Sequence, residues 1–169
     1  CVENIEHLGC CPHEGFFASY CDVPMKSDDV TLKHYVLQMQ EHCLKPLHEH
    51  LGIDISDAAI RKAVEEQNEI SRLITEIGEY RKEESPRITG YEFAIFCLAT
   101  YCCPKYLIID KLRETAEELK TRVPDPVSKY RARVAMVGSE IDDPSFIKLA
   151  EDTGLVVVAD RYCFGSLPG

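Results

Sequence analysis

"RARVAMVGSEIDDPSFIKLAEDTGLVVVAD", Arg131 to Asp160, is the stretch on which the fold turns. "RARVAMVG" and "LVVVAD" read as buried strands, and "DDPSFIKLAEDTG" between them reads as a helix. Asp143 is its cap, Pro144 its first-turn proline and Gly154 its stop. A crossover this short between two apolar strands implies parallel pairing, a right-handed connection and a sheet covered on both faces. In open parallel sheets, sites lie beyond the carboxyl ends of the strands. Gly138-Ser139 and Asp160-Arg161-Tyr162-Cys163 both leave strands at that edge, which makes Cys163 the leading candidate residue. Gly165 lets the backbone turn closely around whatever its sulfur touches. A structural cysteine would more naturally point into the packing of the strand.

Working outward, residues 124–169 form the start of an α/β lobe and residues 27–123 a helical segment, while residues 1–26 end an earlier lobe. In the first zone a short strand is expected near residues 16–21, ended by Pro24, which cannot donate to a ladder. The helical zone opens with Ser27 or Asp28 as cap. Val30, Leu32, Tyr35, Val36, Met39, Cys43, Leu44, Leu47 and Leu51 then follow the helical period to a stop at Gly52, with a bend expected at Pro46. Asp54 or Ser56 caps a longer helix through Ile60, Ala63, Val64, Ile70, Leu73, Ile74, Ile77 and Tyr80, closed by "EESP" at Pro86. Thr89 begins another that stops at Pro104, and residues 105–122 make one more, with Leu107, Ile108, Leu112, Ala116 and Leu119 inward. "VPDPVSKY" is a Pro-rich joint to the last zone.

Composition narrows the function classes. The 169 residues are 45% hydrophobic, without an apolar run of the length of about eighteen residues that a spanning helix needs. Lys and Arg number 19 against 29 Asp and Glu, a formal charge of −10, so there is no basic face for a phosphate backbone and nucleic acid is a poor partner. The 9 cysteines are odd in number, and two pairs are adjacent, unlike a secreted disulfide scaffold. A reducing cytoplasm with some thiols committed to metal fits them better. Cys1 in place of a starting Met, and an abrupt end at "SLPG", are expected of a fragment.

"DVP" ahead of a long helix, then "GIDISDAAIRKAVEEQNEISRLITEIGEYRK", then "GSEIDDPSFIKLAEDTGLVVVADRYCFGS", form an ordered set over about residues 16–166. The set resembles the 2-hydroxyacyl-CoA dehydratase D-components and benzoyl-CoA reductase subunits, a family that also includes double-cubane-cluster proteins. The resemblance implies two flavodoxin-like α/β lobes with a helical insert, and a 4Fe–4S cluster held by cysteines at the lobe interface. It makes Cys163, after the "VAD" strand, a cluster ligand, and Cys1 a second. A further ligand is expected upstream of this sequence, so these residues alone are expected to present an incomplete set. "SLPG" stands where the family carries an arginine-containing stretch. Thiolates are wanted because their number, burial and hydrogen bonding set the potential of iron–sulfur clusters. The resemblance further implies a related subunit or second copy, an ATP-dependent activator that injects one electron, and a CoA-thioester substrate that becomes a ketyl radical.

Blander readings stand beside these. Cys10 and Cys11 are a flexible vicinal pair or ligands of a double-cubane variant, Cys43 and Cys97 are small core residues, and Cys102 and Cys103 mark a helix end. His42, His48 and His50 beside Cys43 and Glu49 invite zinc, but Pro46 interrupts the helical spacing and a solvated helix end explains them better. Asp142 and Asp143 before Pro144 are explained by capping. Ser139 and Tyr162 stand at the strand edge as candidates to contact substrate. The expected function is an iron–sulfur subunit of a radical acyl-CoA dehydratase or reductase. The alternatives are a non-catalytic electron-transfer partner and a double-cubane reductase of small molecules.

Overall fold

A computed structural model describes residues 23–124 and 130–166. The expected strand at residues 16–21 and Cys1, Cys10, Cys11 and Cys21 lie outside them. The chain divides into two units, Cys1–Lys62 and Ala63–Gly169.

In the first unit, Asp28 takes the cap. Its carboxylate accepts the Thr31 N–H at 3.0 Å and starts α1, Asp29–Gln38. A π-helical turn, Met39–Leu44, follows, and α2, Lys45–Leu51, ends at Gly52 with φ of 65°. The expected bend at Pro46 is thus realised as a change of hydrogen-bond pattern. Proline lacks an N–H and its ring crowds the carbonyl four residues back, and a wider turn just ahead of it relieves both. Cys43, in the π turn, is half-buried, in a stretch where no residue is fully buried, and not in the core that the sequence predicts for it.

The second unit is built around α4. Helix α3, Asp57–Glu79, contributes Ile70, Leu73, Ile74 and Ile77; α4, Gly90–Cys102, contributes Phe93 and Cys97; α5, Lys105–Thr121, contributes Leu112, Ala116 and Leu119. These pack into one core cluster. The first turns of α3 lie outside it, with Val64 53% exposed, because the packing against α4 and α5 begins only at Ile70. Thr89 starts α4 with a full capping box: its hydroxyl accepts the Glu92 N–H while the Glu92 carboxylate accepts the Thr89 N–H. Helix α4 is apolar nearly all round, which suits a helix buried on two sides. Ala94, on its other side, joins Ile147, Val157 and Tyr162 in a second cluster.

That second cluster is the β-α-β unit. β1, Ala132–Val137, and β2, Leu155–Arg161, pair in parallel, joined by α6, Pro144–Asp152, whose cap is Asp143. Gly154 ends α6 with φ of 89°, a conformation an L side chain rarely adopts. Parallel pairing and the caps are as the sequence predicts. Coverage on both faces is not: along β1 only Val134 and Met136 are half-buried, and Val137 is 76% exposed. Among the described residues the sheet has these two strands in one β-α-β unit, which falls short of the flavodoxin-like lobe that the resemblance implies. One irregularity matters below. Ala135 pairs with Ala159 although Val134 pairs with Val157, so Val158 is an extra residue in β2. Such a bulge moves the following side chains to the opposite face. It accounts for Val157 and Tyr162 lying in one cluster although an odd step separates them.

Candidate functional site

The loops leaving β1 and β2 run together at the carboxyl edge of the strands. The Arg161 carbonyl accepts the Gly138 N–H at 3.2 Å, and the Ser139 carbonyl accepts the Cys163 N–H at 2.9 Å. Cys163 follows β2 in a short turn and is exposed, as its position beyond the strand predicts. Ser139 is exposed as well, and what it gives to Cys163 is its backbone. Tyr162 departs from expectation: its ring is 4% exposed and packs in the second cluster, because the bulge at Val158 turns it inward. Burial, with the Asp160 carboxylate nearby, pushes its phenol above the ordinary range. What Tyr162 offers at the edge is therefore its backbone, while its side chain stays in the core.

One residue of this region had no distinct signal in the sequence. Arg81 sits in the run "EYRKEES", which reads as a solvated charged turn, yet its side chain is only 4% exposed. Its Nη1 meets Asp160 Oδ2 at 2.7 Å, and its guanidinium lies 3.6 Å from the centre of the Phe93 ring. Asp160 does carry a hint in retrospect, since a carboxylate closing an apolar run needs a cation or several donors. The other contact is aromatic. Tyr101, in the last turn of α4, meets Phe164 edge to face at 5.7 Å between ring centres, which ties the end of α4 to the Cys163 turn. The Tyr101 phenol is raised by burial and by its Cys97, Cys163 and Asp160 neighbours.

The described thiols separate by environment. Cys97 is 0% exposed and burial pushes its thiol up to about 12, so it stays protonated and core-bound, in line with its reading as a packing residue. Cys102 and Cys103 are exposed where α4 ends. His42, His48, Glu49 and His50 are exposed, and the His48 ring N–H donates to the Ile53 carbonyl at 2.8 Å. Among the described residues no three His, Cys, Asp or Glu side chains gather closely enough to hold a metal ion. An exposed thiol on a fixed turn has the donor chemistry of a cluster ligand.

A β-α-β unit of two parallel strands, packed with a bundle of helices, is compatible with an α/β protein, a class in which sites commonly lie beyond strand ends. The chain belongs to the 2-hydroxyglutaryl-CoA dehydratase, D-component family, whose model matches residues 15–169. It is thus a component of an enzyme of the 2-hydroxyacyl-CoA dehydratase type, the family that the ordered motifs resemble. Among curated proteins, none matches the chain. No helix among the described residues is long and apolar enough to cross a membrane.

Proposed function

We propose that this chain contributes the Cys163 thiolate, and from outside the described residues Cys1, to a 4Fe–4S cluster in an ATP-activated radical 2-hydroxyacyl-CoA dehydratase or a related acyl-CoA reductase. The single observation that carries this reading is the exposure of Cys163 on a turn fixed by the Ser139 carbonyl, at the edge where parallel strands end. When bound, such a cluster supplies low-potential single electrons to the acyl thioester. The chain's own part is to hold a thiolate in place and to keep the rest of the turn rigid. Ser139, exposed beside Cys163, is the side chain set to meet a substrate oxygen. A related subunit or a second copy is the partner, and an ATP-dependent activator delivers the electron.

The test is anaerobic purification of the whole polypeptide with counts of iron and sulfide, followed by CoA-thioester binding. One 4Fe–4S per chain with CoA binding supports the dehydratase. A cluster without CoA binding assigns the chain to electron transfer, and about twice the iron assigns it to the double-cubane group. Cys163→Ser should strip or convert the cluster, because a hydroxyl is a much poorer ligand than a thiolate for these irons. Full iron and an unchanged visible spectrum in that variant would end the ligand assignment.

A further inference from the structure

The turn that carries Cys163 is organised from beneath by Asp160. Its side chain is 0% exposed and both oxygens are engaged: Oδ2 accepts from Arg81 Nη1 at 2.7 Å, and Oδ1 accepts the Ser166 N–H at 2.6 Å. Ser166 Oγ donates back to the Asp160 carbonyl at 3.3 Å, and the Tyr162 carbonyl accepts the Gly165 N–H at 3.1 Å. The chain therefore leaves β2 at Asp160 and is brought back to the same residue at Ser166, with Cys163 between them. Gly165 stands at the tightest point. A Cβ there would lie 2.2 Å from Asp160 Oδ1 and 3.0 Å from the Tyr162 ring, so the closed turn excludes any larger residue.

Stability alone is a weak reason for this arrangement. A buried ion pair recovers little more than its desolvation cost, and here Arg81 Nε is buried with no partner among the described residues. An apolar pair of similar volume would pack as well. What the apolar pair could not do is accept the Ser166 N–H and close the turn. Ligand thiolates need placement to within about 0.5 Å, and residues behind the ligand ordinarily supply it.

The geometry points to Asp160, held in place by Arg81, as the positioning residue for the Cys163 thiolate. Its purpose rests on the reading of Cys163 as a cluster ligand; the positioning itself does not. Arg81 fixes the carboxylate against Phe93, the carboxylate fixes Ser166, and the closed turn presents the Cys163 sulfur outward.

Two variants open the turn by different routes. Gly165→Ala forces the turn and the Asp160 carboxylate apart while keeping both charged side chains in the chain, and Arg81→Met/Asp160→Val removes both charges together and spares the fold an unpaired ion. Amide exchange at Ser166 and peptide-resolved alkylation of Cys163 are read on cluster-free protein, beside the thermal midpoint. On the reconstituted whole polypeptide, iron content and the electron paramagnetic resonance signal are read. Loss of a charge-assisted hydrogen bond should speed Ser166 exchange by about tenfold or more in both variants, and the Cys163 alkylation rate should change as its sulfur loses a fixed setting. Cooperative unfolding should persist, and iron retention should fall with a changed resonance signal. Unchanged exchange and alkylation in both variants would overturn the proposal, and if the double variant fails to fold, Gly165→Ala decides alone. Full iron in Cys163→Ser would instead remove the ligand reading, while the two cluster-free measurements would still decide the positioning.

Discussion

Cys97 and Cys163 lie at opposite extremes of what a folded chain does to a thiol. Cys97 sits between Phe93 and the α3 and α5 side chains with no exposure, and its backbone carbonyl accepts the Thr100 hydroxyl at 2.7 Å. Native protein treated with a thiol reagent should label Cys163 and leave Cys97 unlabelled until unfolding, as peptide mapping will report. Cys97→Ser should cost about 1–3 kcal/mol by burying a hydroxyl in an apolar cluster, read as a lower thermal midpoint with iron content unchanged. The same burial predicts a pH dependence. The Cys97 thiol ionises near its ordinary 9.0 when unfolded and at about 12 when folded, so above pH 9 the unfolded chain releases a proton that the folded chain retains. Its contribution to stability is complete below pH 9 and is lost as pH rises towards 12. Tyr162, also shifted upward by burial, acts in the same direction. Denaturant midpoints followed through that range should fall, and should fall less in Cys97→Ala.

At the scale of elements, Glu151 joins three of them. From α6, its Oε1 accepts the Gly90 N–H at 2.8 Å and the Val157 N–H at 3.1 Å, and its Oε2 accepts the Tyr91 N–H at 3.1 Å. A carboxylate at the start of α4 meets its orphan donors and its positive end, and it also takes an amide of β2 next to the bulge. Glu151→Ala should cost about 2–3 kcal/mol, and Glu151→Gln less, both measured by chemical denaturation. Gly90→Ala sharpens the point. Alanine is ordinarily the better helix former by about 1 kcal/mol, but here its Cβ would stand 2.6 Å from the Val157 Cβ, so the substitution should destabilise. A higher thermal midpoint in Gly90→Ala would show that α4 and β2 separate easily. The starts and stops of these elements were legible because Thr89 with Glu92, Asp143 with Pro144, and Gly154 act locally. The bulge at Val158 was not, since "LVVVA" offers an unbroken apolar run with nothing to mark the extra residue. Arg81 was equally hidden: its partner is 79 positions away, and no periodicity encodes a contact of that range.

At the scale of the whole molecule, burial among the described residues is uneven between the two units. None of the residues of α1, the π turn or α2 is buried, and Val30 and Leu51 are 79% and 61% exposed. Ile70, Ile74, Ile77 and Leu119 in the second unit are 0% exposed. The periodic apolar set read from Val30 to Leu51 was therefore a correct sign of helix and a poor guide to burial, because an apolar stripe records what a face can pack against and not whether it does so within the chain. Isolated helices of this kind are marginal in water, and their stability comes mostly from packing an apolar face. Hydrogen exchange of the isolated chain should accordingly show the amides of residues 29–51 opening locally, well below the free energy of global unfolding. The amides of residues 70–77 and 93–97 should exchange only with the global transition. Low denaturant should accelerate the second set and leave the first nearly unchanged, since local fraying exposes little new surface. Equal protection of both sets, with equal denaturant dependence, would mean that the apolar face of residues 29–51 is covered by residues outside those described. The marginal stability expected of the first unit would then be withdrawn.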